Sequence, residues 1–364
     1  MGLSAGIVGL PNVGKSTLFN ALTSAHVAVE NYPFTTIDPA NGVVAVPDVR
    51  LSRLSQLSPA TKVVPAFLEL VDIAGLVKGA SKGEGLGNQF LGHIKNVDAI
   101  VHVVRCFTDD NVIHVEGSVD ALRDIGLVST ELLLADLSTV ERAIERIAKA
   151  AKSAVKDALE QLPVFEKALD SLSKGVPVRK VELDSDQRRV LAPLNLLTQK
   201  PVLYVANVDE QTVSADNTAV AAVRTVATAE GSDVVRICGK IESEIAELPE
   251  DQRPEFLAGI GLSESGLSLL AKAIYKVLGL QTFFTASAKE NRAWTIPSGT
   301  MAQKAAGFIH TDFEKGFIKA DVFTLPDLEQ YKSEPAMRAA GKIRAEGKDY
   351  PVRDGDIIFF KFNV

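Results

Sequence analysis

The residues with the clearest chemical meaning form the segment Gly9-Leu10-Pro11-Asn12-Val13-Gly14-Lys15-Ser16. Two glycines spaced ahead of a Lys-Ser pair are typical of a P-loop, in which backbone N–H groups surround a phosphate. An apolar run at 5–8 precedes the segment and a helix-like run follows it, which is the context that the motif requires. We predict that Lys15 reaches the β- and γ-phosphates and that the Ser16 hydroxyl binds Mg²⁺. The other nucleotide-binding candidates in this region are Asn12, Val13, Gly14 and Thr17.

A metal ligand and a switch segment follow the P-loop in the order that its chemistry needs. Asp72 ends a strand-like run and begins Asp72-Ile73-Ala74-Gly75. We predict that its carboxylate holds Mg²⁺ through water and that the Gly75 N–H contacts a γ-phosphate. Thr36, between the two motifs, is the candidate for the hydroxyl that completes the metal shell, with an ordinary strand residue as the alternative. The glycine-rich run Gly79–Asn88 is predicted to be a mobile switch, with a plain surface loop as the alternative.

The expected base-recognition segment departs from that of a guanine-specific protein. Such proteins place Asn-Lys-x-Asp after a strand, because the aspartate accepts two hydrogen bonds from guanine. The corresponding segment here is Asn207-Val208-Asp209-Glu210, which lacks the lysine and ends in a longer acid. Adenine presents an acceptor at N1, so the loss of an aimed carboxylate favours ATP over GTP, with Asn207 and Val208 contacting the base. The alternative is that Asp209 or Glu210 still recognises guanine, which would make the protein a guanine-specific GTPase.

The residue that orients the attacking water is not obvious from the phosphate motifs. Leu76 occupies the position where many Ras relatives have glutamine, and it cannot hydrogen-bond. His114 lies on a polar loop after a strand end and is our catalytic candidate, with a loop or core histidine as an equal alternative. His93 and His102 have surroundings that favour the core. The amide oxygen of Asn12 is a further candidate, as a ligand for K⁺ beside the phosphates.

Composition limits the classes of protein to which the chain can belong. Its 364 residues carry a net charge of −7, which argues against general attraction to nucleic acid and gives no sign of sequence-specific DNA binding. The sequence has no apolar stretch of membrane-spanning length and no signal-like leader, so we predict a cytoplasmic protein without a membrane partner. Cys106 and Cys238 fit a reducing compartment as small buried residues.

The elements that must position the motifs alternate between strand-like and helix-like patterns. Short apolar runs rich in β-branched residues predict parallel strands buried on both faces, at 5–8, 66–71, 99–105, 201–206 and 234–238. Residues 130–200 instead predict an inserted helical arm, because apolar residues repeat at spacings of four and three: Leu133, Leu137, Val140, Ile144, Ile147, Ala151, Ala154 and Ala158. A second helix around Val164–Leu172 is predicted to fold back on the first as an antiparallel hairpin.

The sequence changes again after residue 280, to short strands and turns. Ile318–Phe323 and Ile357–Phe362 predict strands of a small α+β module. We therefore predict an α/β fold with a nucleotide-binding domain at 1–280, which contains the helical arm of 130–200 as an insertion, and a C-terminal module at 281–364.

These motifs together resemble the Obg-like ATPase family, also called YchF, in the translation-factor class of P-loop proteins. The likeness covers essentially the whole chain, including Gly9–Ser16, Asn31–Thr36, Asp72–Leu76, Asn207–Glu210, Arg292–Pro297, Ala306–Ile318 and Arg344–Tyr350. One departure is Cys238-Gly239-Lys240, where a Ser-Ala or Cys-Ala pair is more usual, so the contact with the base is less rigid.

The resemblance implies a Ras-like G domain of the OBG type, a coiled-coil arm and a β-grasp-like TGS domain. It implies a preference for ATP with residual GTP use, Mg²⁺ at Ser16 and Thr36, and association with the ribosome at its large subunit. His114 matches the family's proposed catalytic histidine by position. The expected activity is slow, switch-like hydrolysis of ATP. The alternative is a binding scaffold with incidental hydrolysis, which Leu76 favours because it cannot orient water.

Overall fold

The structure is a computed structural model, and it describes residues 3–24, 41–73, 86–109, 112–152, 156–249 and 251–363. The chain divides into two compact units, one of Met1–Gly42 with Glu69–Ile274 and one of Val43–Leu68 with Tyr275–Val364. Within the described part of the chain, every helix is too short or too polar to cross a membrane.

The strands lie in two sheets and are numbered in chain order. They are β1 (Ser4–Val8), β2 (Asn41–Val46), β3 (Lys62–Val64), β4 (Ala66–Asp72), β5 (Ala99–Arg105), β6 (Val202–Asn207), β7 (Val234–Ile237), β8 (Leu280–Ala286), β9 (Glu290–Pro297), β10 (Phe317–Phe323), β11 (Arg344–Glu346) and β12 (Ile357–Phe362).

The helices are numbered in the same way. They are α1 (Lys15–Ser24), α2 (Val49–Leu57), α3 (Leu86–Lys95), α4 (Ala121–Lys152), α5 (Lys156–Ser173), α6 (Ser185–Leu191), α7 (Thr218–Glu230), α8 (Gly239–Glu247), α9 (Arg253–Gly259), α10 (Gly266–Val277), α11 (Ala302–Ile309), α12 (Thr311–Lys315), α13 (Leu325–Tyr331) and α14 (Glu334–Ala339). Short 3₁₀ turns lie at Val178–Lys180, Ala192–Leu194, Leu197–Gln199 and Glu210–Thr212.

The first sheet has six strands in the order β2-β4-β1-β5-β6-β7. The neighbours from β4 to β7 pair in parallel, and every residue of β1, β5 and β6 is buried. These strands were predicted from apolar runs without alternation, because helices cover both faces of such a sheet. Parallel strands end at one common edge, which brings the P-loop, Asp72 and the segments after β5 and β6 together.

The helical arm is formed by α4 and α5, which pack against each other around Val140, Ala143, Phe165 and Ala168. This arm was predicted, but its first helix begins earlier than residue 130 and ends at Lys152. The apolar seam was expected to run along one helix to Ala158, and that expectation is wrong, because Ala158 is buried in α5. Ala154 lies outside the described residues.

The second unit is built on a six-stranded sheet in the order β11-β10-β12-β8-β9-β3. Its core includes Phe283, Ile296, Val322 and Ile358. The domain bounds of 1–280 and 281–364 stay a prediction. The division into compact units differs from them by grouping residues 43–68 with the C-terminal strands, because β3 pairs with β9 and α2 packs on β9 and α13.

Candidate nucleotide site

The P-loop connects β1 to α1 with a backbone that only certain residues can adopt. Gly14 has a φ of 96°, and a Cβ at this position would lie 2.3 Å from Nδ2 of Asn207, so a side chain is excluded by both strain and space. Asn12 also has a positive φ, of 62°, which asparagine tolerates better than most residues. The loop is therefore held in a fixed turn against the end of β6.

Lys15, the first residue of α1, is buried at the base of this turn. Its Nζ donates to the carbonyl oxygen of Leu10 at 2.8 Å. Burial lowers the pKa of Lys15 to about 8, and the negative charge of Asp72 opposes part of that shift. A phosphate near Nζ would favour the charged form, so this lysine is suited to binding an anion.

Ser16 and Asp72 form the polar pair that the metal prediction requires. The Ser16 hydroxyl donates to Oδ2 of Asp72 at 3.1 Å. The other carboxylate oxygen, Oδ1, is buried and has no hydrogen-bond partner among the described residues. A hydroxyl beside a carboxylate with an unsatisfied oxygen is a donor set that fits Mg²⁺, which prefers oxygen ligands and retains waters. Thr36, Gly75 and Leu76, which were predicted to complete this region, lie outside the described residues.

Asn207 joins the P-loop to the base-side loop. It is buried at the end of β6, where its Nδ2 donates to the carbonyl oxygen of Val13 at 2.9 Å and its Oδ1 accepts from the Gly239 N–H at 3.1 Å. Val208 is also buried, and its N–H donates to the carbonyl oxygen of Ile237 at 2.8 Å. Both ends of the Asn207 amide are thus used to fix the walls of the site.

The two acids after β6 are engaged by neighbouring residues. Asp209 accepts from the N–H and the hydroxyl of Thr212 at 2.9 and 2.7 Å, which caps a 3₁₀ turn. Glu210 forms an ion pair with Lys240, and the hydrogen bond from Lys240 lowers the pKa of Glu210. A carboxylate that recognises guanine accepts two hydrogen bonds from the base, and bonds within the chain compete for its oxygens. In this structure both candidates are bonded elsewhere.

The loop after β5 is held by Arg105, which is buried. Its guanidinium donates to three carbonyl oxygens of this loop, those of Phe107, Asp109 and Val112, at 3.2, 3.2 and 2.9 Å. The guanidinium carbon also lies 4.5 Å from the centre of the Phe107 ring. Nδ2 of Asn12 donates to the carbonyl oxygen of Ile113 at 3.1 Å, so the loop is bonded directly to the P-loop one residue before His114.

His114 is buried, and both of its ring nitrogens are bonded within the chain. Nδ1 accepts from the Glu116 N–H at 3.1 Å, so Nε2 carries the ring proton and donates to Oδ2 of Asp124 at 2.8 Å. Arg123 donates to the other oxygen of Asp124 from Nε and Nη2, at 3.1 and 3.0 Å. His114 therefore lies near the P-loop but has no lone pair free for a water molecule in this arrangement.

Comparisons with known proteins show the family to which the chain belongs. A model described as a 50S ribosome-binding GTPase matches residues 4–156, and the C-terminal model of YchF GTPases, described as a protein of unknown function, matches residues 280–363. The curated ribosome-binding ATPases YchF of Pasteurella multocida and Bacillus subtilis are 53% and 52% identical to this chain, and each match covers 100% of both proteins. The chain belongs to the YchF family.

A solved YchF structure supports the fold over nearly the whole chain. The YchF GTPase of Schizosaccharomyces pombe is 39% identical, with a TM-score of 0.89, and the match covers 99% of this chain and 97% of that one. The family resemblance and the fold class predicted from the sequence are thus confirmed: a P-loop nucleoside-triphosphatase of mixed α/β structure with a helical arm and a YchF-type C-terminal region.

The structure brings several of the predicted residues together and corrects one minor prediction. Ser16 contacts Asp72, Val13 and Gly14 contact Asn207, and the P-loop is bonded to the loop of His114. The expected burial of His102, Cys106 and Cys238 is confirmed. His93 was expected in the core, and this is wrong, because α3 buries Phe90, Leu91 and Ile94 and leaves His93 exposed.

Three residues with clear contacts at the site were not identified from the sequence: Arg105, Asp124 and Lys240. A charge at the end of a strand, as at Arg105, or in the first turn of a helix, as at Asp124, is common on protein surfaces. Their partners lie on loops or on another element, so no local spacing reveals them. The one available signal for Asp124 was its place ten residues after His114, near the start of a helix.

Proposed function

We propose that this chain is a cytoplasmic, ribosome-associated ATPase that hydrolyses ATP slowly and in preference to GTP. The observation that carries the base preference is the engagement of both acids after β6, Asp209 by Thr212 and Glu210 by Lys240. Guanine offers two donors that need a free carboxylate, whereas adenine offers an acceptor that a carboxylate would repel. The names of the curated YchF relatives, ribosome-binding ATPases, support the same activity and partner.

Different residues of the site bind the nucleotide and promote its hydrolysis. The amides of Asn12, Val13, Gly14 and Thr17 surround the phosphates, Lys15 neutralises the β- and γ-oxygens, and Gly75 contacts the γ-phosphate. Asn207 and Val208 line the base region. Ser16, Thr36 and Asp72 would hold Mg²⁺, which when bound neutralises phosphate charge. His114 orients or deprotonates the attacking water, in place of the glutamine that Leu76 replaces.

We expect slow turnover because the ring nitrogens of His114 are not free to bind water. As held here, both ring nitrogens of His114 are bonded to the chain, so each catalytic event requires the ring to move. A switch protein benefits from slow hydrolysis, because its nucleotide state then lasts long enough to determine a binding partner. We propose that this partner is the large ribosomal subunit, in agreement with the description of the N-terminal family model.

K⁺ is proposed as an additional ligand beside the phosphates, at the Asn12 amide oxygen. The bond to Ile113 uses the nitrogen of this amide and not its oxygen. A K⁺ ion there would add positive charge that arginine supplies in other P-loop proteins. Hydrolysis rates that do not change when Na⁺ replaces K⁺ would rule this part out.

Steady-state hydrolysis by the full chain tests the activity. We expect kcat/KM to be at least about tenfold higher for ATP than for GTP, and both activities to be lost in Lys15→Ala, which shows that one site serves both. Equal or higher kcat/KM for GTP would instead support a guanine-specific enzyme. Co-sedimentation with ribosomes in the presence of ATP, of ADP and of no nucleotide tests the partner. Ribosome binding that is the same in all three conditions would support a scaffold.

A further inference from the structure

The pair formed by His114 and Asp124 has a geometry that a water-activating histidine does not need. A carboxylate that orients such a histidine bonds one ring nitrogen and leaves the other facing the substrate. Here Nε2 donates to Oδ2 of Asp124 at 2.8 Å, while Nδ1 accepts from the backbone N–H of Glu116 at 3.1 Å. Both side chains are only 4% exposed, so water does not compete effectively for these bonds. The contacts therefore hold the ring in an unreactive state.

We propose that Asp124 is an autoinhibitory latch, a positioning residue that holds His114 away from the nucleotide and keeps basal hydrolysis slow. This inference rests on the proposed role of His114 in ATP hydrolysis. The latch opens when Nε2 leaves Oδ2 of Asp124 and the ring turns out of its bond to Glu116, which frees a nitrogen for water. No covalent bond changes in this step.

The surroundings of Asp124 keep the latch in place. Asp124 lies in the first turn of α4, and its Oδ1 is held by two nitrogens of Arg123. Arg123 is itself fixed by the Ser118 hydroxyl at 3.0 Å and by the Ser118 carbonyl oxygen. The carboxylate is therefore anchored on one side by Arg123 and binds the histidine with the other. A charged hydrogen bond of this kind is stronger than a neutral one.

The residue before His114 is bonded to the P-loop. Asn12 of the P-loop donates to the carbonyl oxygen of Ile113, the residue next to His114. Arg105 donates to the carbonyl oxygens of Phe107 and Val112 in the same loop. A movement of Asn12 when nucleotide binds would shift Ile113 through this hydrogen bond. Such a shift would weaken the bond between His114 and Asp124.

Hydrolysis rates of latch variants in the full chain, without ribosomes, test the proposal. We expect Asp124→Ala to raise kcat about tenfold with KM for ATP unchanged within about twofold, because losing the charged bond increases the released population. Asp124→Asn should give an intermediate rise, since its amide oxygen still accepts from Nε2 without the charge. The increase must vanish in Asp124→Ala combined with His114→Ala.

The control variant is Asp120→Ala, which removes a neighbouring acid without touching the histidine. Asp120 accepts from the Arg123 N–H at 3.1 Å at the start of the same helix. The kcat of Asp120→Ala therefore shows whether weakening this end of the helix is enough to change hydrolysis. We expect its kcat to equal that of the wild type. Nitrogen-15 chemical shifts of the His114 ring provide a second readout, and they should show the Nε2–H form in the wild type and a change in Asp124→Asn.

The outcomes separate the latch from the function on which it rests. If His114→Ala hydrolyses ATP at the wild-type rate, the role of the histidine fails and the latch fails with it. If His114→Ala is inactive while folded Asp124→Ala or Asp124→Asn shows an equal or lower kcat than the wild type, only the latch is overturned. A lower kcat would show that Asp124 orients the histidine for catalysis, and an equal kcat would show that it has no effect on turnover.

Discussion

At the scale of single residues, the protonation of Lys15 links nucleotide binding to pH. Burial lowers its pKa to about 8, and its Nζ is bonded to the Leu10 carbonyl oxygen. Phosphate oxygens favour the charged ammonium, so the pKa rises when ATP binds. Binding above pH 8 therefore takes up a proton, and affinity must fall as the pH rises through this value.

We expect the Kd for MgATP to increase about tenfold between pH 7 and pH 9, because the charged fraction of a group with a pKa near 8 falls by that factor. Calorimetric titrations in buffers of different ionisation enthalpy would show the proton uptake directly. Lys15→Arg is the control, since its guanidinium stays charged and its weaker binding should not depend on pH. A flat profile for the wild type would contradict the assigned protonation.

Gly239 and Gly14 face the same amide group of Asn207 but differ in what they tolerate. Gly239 is the first residue of α8, and a Cβ there would lie 3.5 Å from Oδ1 of Asn207, an ordinary contact. We expect Gly239→Ala to stabilise the protein by about 0.5–1 kcal/mol with ATP affinity unchanged within about twofold. Gly14→Ala should abolish nucleotide binding, because its Cβ would collide with Nδ2. Thermal unfolding and nucleotide titration of both variants test these two expectations. A Gly239→Ala variant less stable than the wild type would contradict the first.

At the scale of the elements, the base of the helical arm depends on one buried carboxylate. Asp136 of α4 accepts from the Leu197 N–H at 2.8 Å and from the N–H and hydroxyl of Thr198, both at 2.7 Å. These bonds tie α4 to the segment that leads into β6. Asp136 is buried, and burial raises the pKa of its carboxyl.

Replacing Asp136 should test how much this connection contributes to stability. We expect Asp136→Ala to lower the free energy of unfolding by about 2–4 kcal/mol, because it leaves buried donors on Leu197 and Thr198 without an acceptor. Asp170→Ala is the matched control on α5. It removes an exposed ion pair with Lys174, so its effect should stay within about 0.5 kcal/mol. Similar losses in urea unfolding for both variants would show that the three bonds contribute little.

The sequence predicts the elements that bury both faces and misses those that depend on distant partners. β1, β5 and β6 are largely apolar runs, and their bounds are predicted to within one residue from composition. β3 has three residues, and only its pairing with β9 makes it a strand. The site behaves in the same way. Lys15, Ser16 and Asp72 follow from local spacing, whereas the contact of Asp124 with His114 depends on how a loop folds back onto α4.

At the scale of the whole molecule, a segment between the P-loop and Asp72 belongs to the C-terminal unit. Residues 43–68 contribute α2 and β3 to this unit. Arg50 binds Asp354 at 2.7 Å, Arg53 binds Glu329 at 2.7 Å, and Asn291 donates to the carbonyl oxygen of Ser58 at 2.6 Å. The chain thus leaves the nucleotide-binding unit, adds an edge strand to the other sheet, and returns before Asp72.

Native-state hydrogen exchange can show which unit this segment unfolds with. We expect the amides of β3 to exchange with the same free energy as those of β8 and β9, because β9 is the strand with which β3 pairs among the described residues. Arg50→Ala should lower protection in β3 and β8 together and leave β5 unchanged, since it removes bonds to Asp48 and Asp354. Exchange of β3 in step with β1 and β5 would contradict the grouping.

We propose that the nucleotide site prefers adenine because both acids after β6 are already bonded to neighbouring residues, Asp209 to Thr212 and Glu210 to Lys240. Competitive calorimetry on the full chain, with MgATP displacing MgGTP and the reverse, measures this most directly. We predict that ATP binds at least about tenfold more tightly, a difference of about 1.4 kcal/mol. Equal or tighter binding of GTP would contradict this preference and would favour recognition of guanine by Asp209 or Glu210.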